Sequence, residues 1–304
     1  MSVKKTKEMN NLEEKPYIYE YKGQTDDFTL TSENYYSREA QEHYISIHTY
    51  LDIMGRLGRN GCEARGMATL NGLYKQEDTT ALLVGSYVDS YFEGTLDKFR
   101  NEHREIFTQK GELRSEYKRA EKMIARAEQD EYFMRFMKGK KQVIMTGYFA
   151  GLWWKIKIDN LMINKDGEPI AIVDLKTTGK PLNQMWNVRD YGNVGFVEYW
   201  GYDFQMALYQ EIMRINTGKR LPTYIAVITK EEEPDIAIIG LQEASGGNML
   251  LDNALNTIKN DAESFKSILT GEIEPMRCDR ADCMYCRSTK KLTKPIFYQD
   301  LITM

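Results

Sequence analysis

Residues 151–178 read GLWWKIKIDNLMINKDGEPIAIVDLKTT, and the fold turns on how this stretch is read. Two short apolar runs, rich in Ile and Val, flank the polar turn NKDGE at 164–168. Runs this short, broken by Asp-Gly, form the pattern of a β-hairpin. A reversal at Asp166-Gly167 brings Asp159 and Asp174 to neighbouring strand positions. Side chains alternate faces along a strand, so Lys176 shares the face of Asp174. Two carboxylates and an ammonium then converge. Two acids suit a hard divalent cation, and a lysine beside them suits an anion such as a phosphodiester. The ordinary alternative is a solvated hairpin rim, with Lys176 paired to Asp159 or Asp174.

Three further signals stand in a definite order around the hairpin. LLVGSYVDSYFEG (82–94) reads as a helix and precedes it. KQVIMTGYFAG (141–151) reads as a strand paired to the hairpin. YDFQMALYQEIM (202–213) reads as a following helix that carries Gln205 and Tyr209 one turn apart, on a common face. The 82–94 helix, the Asp159 strand, the Asp174-x-Lys176 strand and the Gln205-x-x-x-Tyr209 helix, in that order, resemble the PD-(D/E)xK nuclease superfamily in its RecE-like and lambda-exonuclease-like branch, over roughly residues 45–290. There are two departures. Ile158 stands where the family name has proline, and Asp89 stands where the early helix usually has histidine. A carboxylate serves Mg²⁺ at least as well, because Mg²⁺ prefers oxygen ligands.

The resemblance implies an α/β fold, a mixed central sheet flanked by helices. It implies Asp159, Asp174 and the backbone carbonyl of Leu175 as ligands for Mg²⁺, with Mn²⁺ as a substitute and Asp89 as an added ligand. Glu93, one turn beyond Asp89, reads first as a surface carboxylate. Lys176 would stabilise the transition state as a point charge. Gln205 and Tyr209 would complete the catalytic set. Thr177 and Thr178 read as phosphate contacts or as plain β-formers at a strand end. The implied activity is 5′-to-3′ digestion of double-stranded DNA from its ends, in phage-type recombination. The implied partners are a RecT-like single-strand annealing protein and further copies of the chain in a ring. An endonuclease of the same superfamily is the alternative. From another class, the chain would be a four-cysteine zinc protein that binds nucleic acid without catalysis.

Cys62, Cys278, Cys283 and Cys286 are the four cysteines, the last three spaced C-x4-C-x2-C. That spacing suits one metal centre, zinc or an iron–sulfur cluster. One cysteine before the core and three after it resembles the iron–sulfur nucleases of the AddB and CRISPR-adaptation types. A [4Fe-4S] cluster is expected ahead of Zn²⁺, and free thiols are the third reading. The three histidines, His43, His48 and His103, fall outside these motifs and are expected to take no part in catalysis.

Composition is that of a globular enzyme: 304 residues, 42% hydrophobic and 28% charged, with a formal net charge of −4. The negative balance does not advertise nucleic-acid binding, although a channel can focus positive charge inside an acidic surface. No apolar run spans a membrane and the first residues lack a signal-peptide core, so a cytoplasmic protein is expected. The organisation expected is a polar arm at 1–30 and one nuclease domain at 31–304 with a cysteine-containing end. Within it, helices are expected at 36–58, 62–74, 82–99 and 247–270, and two more strands at 223–230 and 235–241. The charged run 109–141 reads as one exposed amphipathic helix, and 181–200 as an aromatic functional loop.

Overall fold

The computed structural model describes residues 18–58, 60–188, 191–278 and 283–299. Among the described residues seven α-helices precede the sheet: α1 Arg38–His43, α2 Ile47–Met54, α3 Glu63–Leu70, α4 Thr80–Glu93, α5 Leu96–Glu102, α6 Arg119–Glu128 and α7 Glu131–Phe136. Then come β1 Lys140–Phe149, β2 Leu152–Ile163, β3 Pro169–Thr178, β4 Trp186–Val188 and β5 Gly192–Val194. Helices α8 Phe196–Trp200 and α9 Tyr202–Thr217 lead to β6 Thr223–Thr229 and β7 Ile236–Gly240, and α10 Met249–Leu269 and α11 Met284–Ser288 follow.

Five strands form one mixed sheet in the order β1-β2-β3-β6-β7. Among the described strands of this sheet only the β3–β6 pair is parallel, and α9 lies in its crossover, the kind of connection a parallel pair requires. The hairpin is the expected one. Asn164 accepts from the Asp166 and Glu168 amides through its side chain, and Gly167 takes the left-handed φ of 81° that the turn needs. Alternation along the strands builds two cores. Ile172 and Val227 face α2, α9 and α10, whereas Val173, Leu175, Ala226 and Ile228 face α4, α6 and α7. No helix among the described residues is long and apolar enough to cross a membrane.

Several expected elements divide. The helix expected at 36–58 breaks at Tyr44–Ser46, because Ile45 leaves the helix to bridge Trp154 of β2, and Ser46 then caps α2. The charged run 109–141 is not one helix. Asp130 accepts from the Phe133 amide and starts α7 afresh, and β1 already begins at Lys140. Helix 82–99 stops at Glu93, where Gly94 adopts a left-handed cap, and α5 restarts at Leu96. Of the expected arm, residues 1–17 lie outside the described residues. Residues 18–30 lie on the body: Tyr19 and Phe28 are buried, and the Tyr21 hydroxyl accepts from the Trp153 amide at 2.7 Å.

Trp154 is the largest fully buried side chain. Its indole stacks on Phe265 at 6.3 Å and donates to the Phe149 carbonyl at 2.9 Å, tying β2 to α10. Trp154→Ala is expected to lower unfolding free energy by about 3–5 kcal/mol in a denaturant titration, because it leaves both a cavity and an unpaired carbonyl.

Candidate active site and cysteine centre

The site begins where a ladder ends. β2 and β3 pair from Ile163–Pro169 to Asn160–Val173 and then separate, while β1 follows β2 to its far end at Leu152. Beyond the split, Ile45 takes up the free edge of β2: its amide donates to Trp153 O and its carbonyl accepts from Lys155 N, each at 2.9 Å. A fork opens between β2 and β3, and the Asp159 side chain fills its apex. Its Oδ2 accepts from the Leu175 amide at 3.0 Å, a donor that a continuous ladder would have given to backbone.

Asp174 and Lys176 line the β3 side of the fork. Asp174 is 2% exposed and contacts the Lys176 ammonium, while its Oδ1 accepts from Gln205 Nε2 at 2.8 Å. Lys176 Nζ also lies 4.9 Å over the Tyr202 ring. Tyr209, one turn beyond Gln205, lines the same pocket. Helix α4 supplies the opposite wall. It comes close to β3 because Gly85 has no side chain; a Cβ there would stand 2.8 Å from Thr177 Oγ1. One turn later Asp89 faces Asp159, and one turn further Glu93 accepts from Gln142 at 2.7 Å. Gln142 sits opposite Asp159 on β1, in a left-handed backbone of φ 52°, and also approaches Asp159 Oδ1 at 3.5 Å.

The electrostatics follow from burial. Desolvation raises Asp89 well above the usual carboxylate range, and the neighbouring Asp159 raises it further. Burial also raises Asp174, opposed by Lys176. Burial pulls Lys176 down, but Asp174, Tyr202 and Asp159 outweigh it, and the ammonium stays protonated above the ordinary lysine range. Asp89 Oδ1 is buried with no hydrogen-bond partner. Buried carboxylates crowded on one pocket, one with an orphaned oxygen, fit a hard divalent cation, which such acids accept in place of water.

The cysteines form a second centre. Their four sulfurs lie within 4.8 Å of one another, with Cys62–Cys286 at 3.5 Å and Cys278–Cys283 at 3.6 Å. Cys62 caps α3 and Cys283 caps α11, so each thiol is held by a helix start. The chain after α10 reaches Cys62 through Ala64 N to Met276 O at 2.9 Å and Met276 N to Glu63 Oε2 at 2.8 Å. A tetrahedral ion with bonds of about 2.3 Å spaces its thiolates by about 3.8 Å, close to these separations.

A family profile described as a PDDEXK-like domain of unknown function matches residues 46–289. The chain belongs to this family, within the PD-(D/E)xK nuclease superfamily. It is also similar to a crystal structure from Eubacterium rectale of a protein provisionally named an exonuclease. The two share 49% identity over 90% of this chain and 98% of the other, with a TM-score of 0.83. No curated protein matches the chain.

Within this PD-(D/E)xK fold, Asp89, Asp159, Asp174, Lys176, Gln205 and Tyr209 all line one pocket. The Leu175 side chain packs under α4 and borders a small cavity together with Asp89, Glu93 and Asp159. Glu93 is no surface carboxylate. It is partly buried against the pocket, and burial together with Asp159 raises it. Thr177 packs beneath Gly85, and Thr178 is buried at the strand end. His43 stacks on Phe28 and His103 pairs with Glu105, but His48 lines the pocket. Lys155 and Lys157 line it too. Their signal was in the sequence: KIKID (155–159) alternates Lys155, Lys157 and Asp159 onto one face. Burial pulls Lys155 down to about 8, and its ammonium donates to Tyr35 O at 2.6 Å. Gln142 had no sequence signal, since its position follows from β1 register.

Buried acids raised above their unfolded values bind protons on folding, so the metal-free protein loses stability as pH rises from about 4 through the raised values. Mg²⁺ competes with those protons. Its stabilising effect is expected to be larger at pH 8 than at pH 6, read as the difference in Tm between Mg²⁺ and chelator at each pH. An equal Mg²⁺ effect at both values would remove the acids as ligands.

Purified under anaerobic conditions, the protein is expected to carry one metal centre per chain on the four cysteines, lost together with several degrees of Tm in any Cys→Ala variant. A brown protein with broad visible absorption would assign iron–sulfur, a colourless one with about one zinc per chain would assign zinc, and four freely titratable thiols in the folded chain would remove the centre.

Proposed function

We propose that the protein is a divalent-metal-dependent deoxyribonuclease that digests double-stranded DNA from its ends, in the manner of RecE-like exonucleases. The observation that carries this reading is that Asp89, Asp159 and Asp174 line one pocket with Lys176, whose ammonium pairs with Asp174, inside a PD-(D/E)xK fold. The Eubacterium rectale relative, provisionally named an exonuclease, supports the end-directed form. Digestion from the 5′ end, hand-over of the exposed strand to an annealing protein and a ring of copies extend the proposal.

Asp89, Asp159, Asp174 and the Leu175 carbonyl would hold the cation, Mg²⁺ or Mn²⁺. Bound there, it would neutralise phosphate charge and acidify the attacking water. The chain's own groups do the rest. Gln205 fixes the Asp174 carboxylate through its amide. Asp174 and the Tyr202 ring fix the Lys176 ammonium, which stays charged and meets the charge that builds on the scissile phosphate. The alternative of a non-catalytic zinc protein is disfavoured by the desolvated acids, which a binding module has no reason to bury. In the cysteine centre, four sulfurs within 4.8 Å of one another support one shared metal centre, a [4Fe-4S] cluster or a tetrahedral Zn²⁺.

Lys176→Ala is expected to cut nucleotide release about 10²–10³-fold while leaving DNA affinity nearly intact. Asp159→Ala and Asp174→Ala are expected to abolish activity in Mg²⁺. The assay uses end-labelled linear duplex beside closed circular duplex. Cleavage of the circle would turn the reading to an endonuclease, and near wild-type rates for Lys176→Ala would overturn the catalytic assignment.

A further inference from the structure

The aromatic stretch between β3 and α9 is not used by the chemistry above, yet it borders an adjoining cleft that shares Lys176 with the acid pocket. A cleft of about 720 Å³ runs from Lys176 and Tyr202 past Trp200 to Cys283. Trp200 ends α8 and is 40% exposed, which leaves a large ring facing solvent beside a charged site. That ring is not loosely held. It meets Tyr199 edge-on at 5.0 Å, and Tyr199 stacks on Trp186 of β4 at 5.0 Å and 22°. Tyr199 in turn lies flat on Gly58, where a Cβ would fall 2.3 Å from the ring. Gly201, at φ 71°, closes α8 and opens α9, so one left-handed residue sets both Trp200 and Tyr202. Two residues of chain span at most about 7 Å, so the Trp200 backbone lies one short step from the residue that carries Lys176 on its ring.

We infer that Trp200 is a stacking platform for an unpaired nucleobase next to the scissile phosphate. This rests on the nuclease reading above. An indole held by neighbours and open on one side offers stacking without sequence preference, because every base has a π face. A base inside a duplex has no free face to offer, so the strand in the cleft is unpaired at that step. The contact therefore favours ends and frayed termini over internal duplex.

The test compares wild type, Trp200→Ala and Trp200→Phe as full chains. Kinetics are run in Mg²⁺ and binding in Ca²⁺, on linear duplexes with a single abasic residue stepped through the terminal six positions. Trp200→Ala is expected to raise KM and Kd about 5- to 150-fold, the range for loss of one stacked base. Its kcat should change far less, and Trp200→Phe should keep most of the affinity. In wild type, one abasic position should weaken binding by a similar factor, and Trp200→Ala should show no further loss at that position. Unchanged KM and Kd in Trp200→Ala, or abasic penalties that multiply with the variant's at every position, would overturn the platform while the nuclease reading stands. A wild-type chain that releases nothing from any of these DNAs would overturn both.

Discussion

The Leu175 amide donates to the Asp159 carboxylate instead of to a strand neighbour, and the site depends on that exchange. A backbone donor freed inside a sheet must find an acceptor or cost on the order of 1–3 kcal/mol. By accepting it, Asp159 lets β2 and β3 part without leaving the donor orphaned. The gap so made is where Asp89, Asp174 and Lys176 meet. One carboxylate thus opens the fork and also lines it.

Crowded acids are tolerated because the surrounding elements hold them. Gly85 lets α4 approach β3 closely enough for Asp89 to reach across. Gln205 engages one oxygen of Asp174, and Lys176 stands against the other. Gln142, in a strained left-handed conformation, bridges Glu93 and the edge of Asp159. Strain and raised carboxylates in one pocket are destabilising in isolation and are kept where function needs them. Cys283 of the cysteine centre lines a cleft that Lys176 also borders, and the centre joins residues 224 positions apart.

Much of this was legible in the residues. The hairpin, with Asn164 and Gly167 in its turn, put Asp159, Asp174 and Lys176 together because strand alternation is a local rule. The spacing of Gln205 and Tyr209 put both on one helix face for the same reason. The order of signals pointed to the α/β core that the family match and the sheet then showed. Boundaries went less well where long-range partners intervened. Ile45 left its helix to pair with Trp154, more than a hundred residues away, and no local pattern announces such a bridge.

The sequence by itself determined which side chains share a strand face or a helix turn, since those relations depend only on period. It therefore determined the acids, the lysine and the grouping of the last three cysteines. Only the tertiary structure decided that Glu93 turns inward, that Gln142 donates to it, that His48 lines the pocket, and that Cys62 closes on Cys286. Each of those depends on the register of β1, the approach of α4 at Gly85 or the return of the chain after α10. These are contacts between distant segments, set by how whole faces pack and not by the spacing of neighbours.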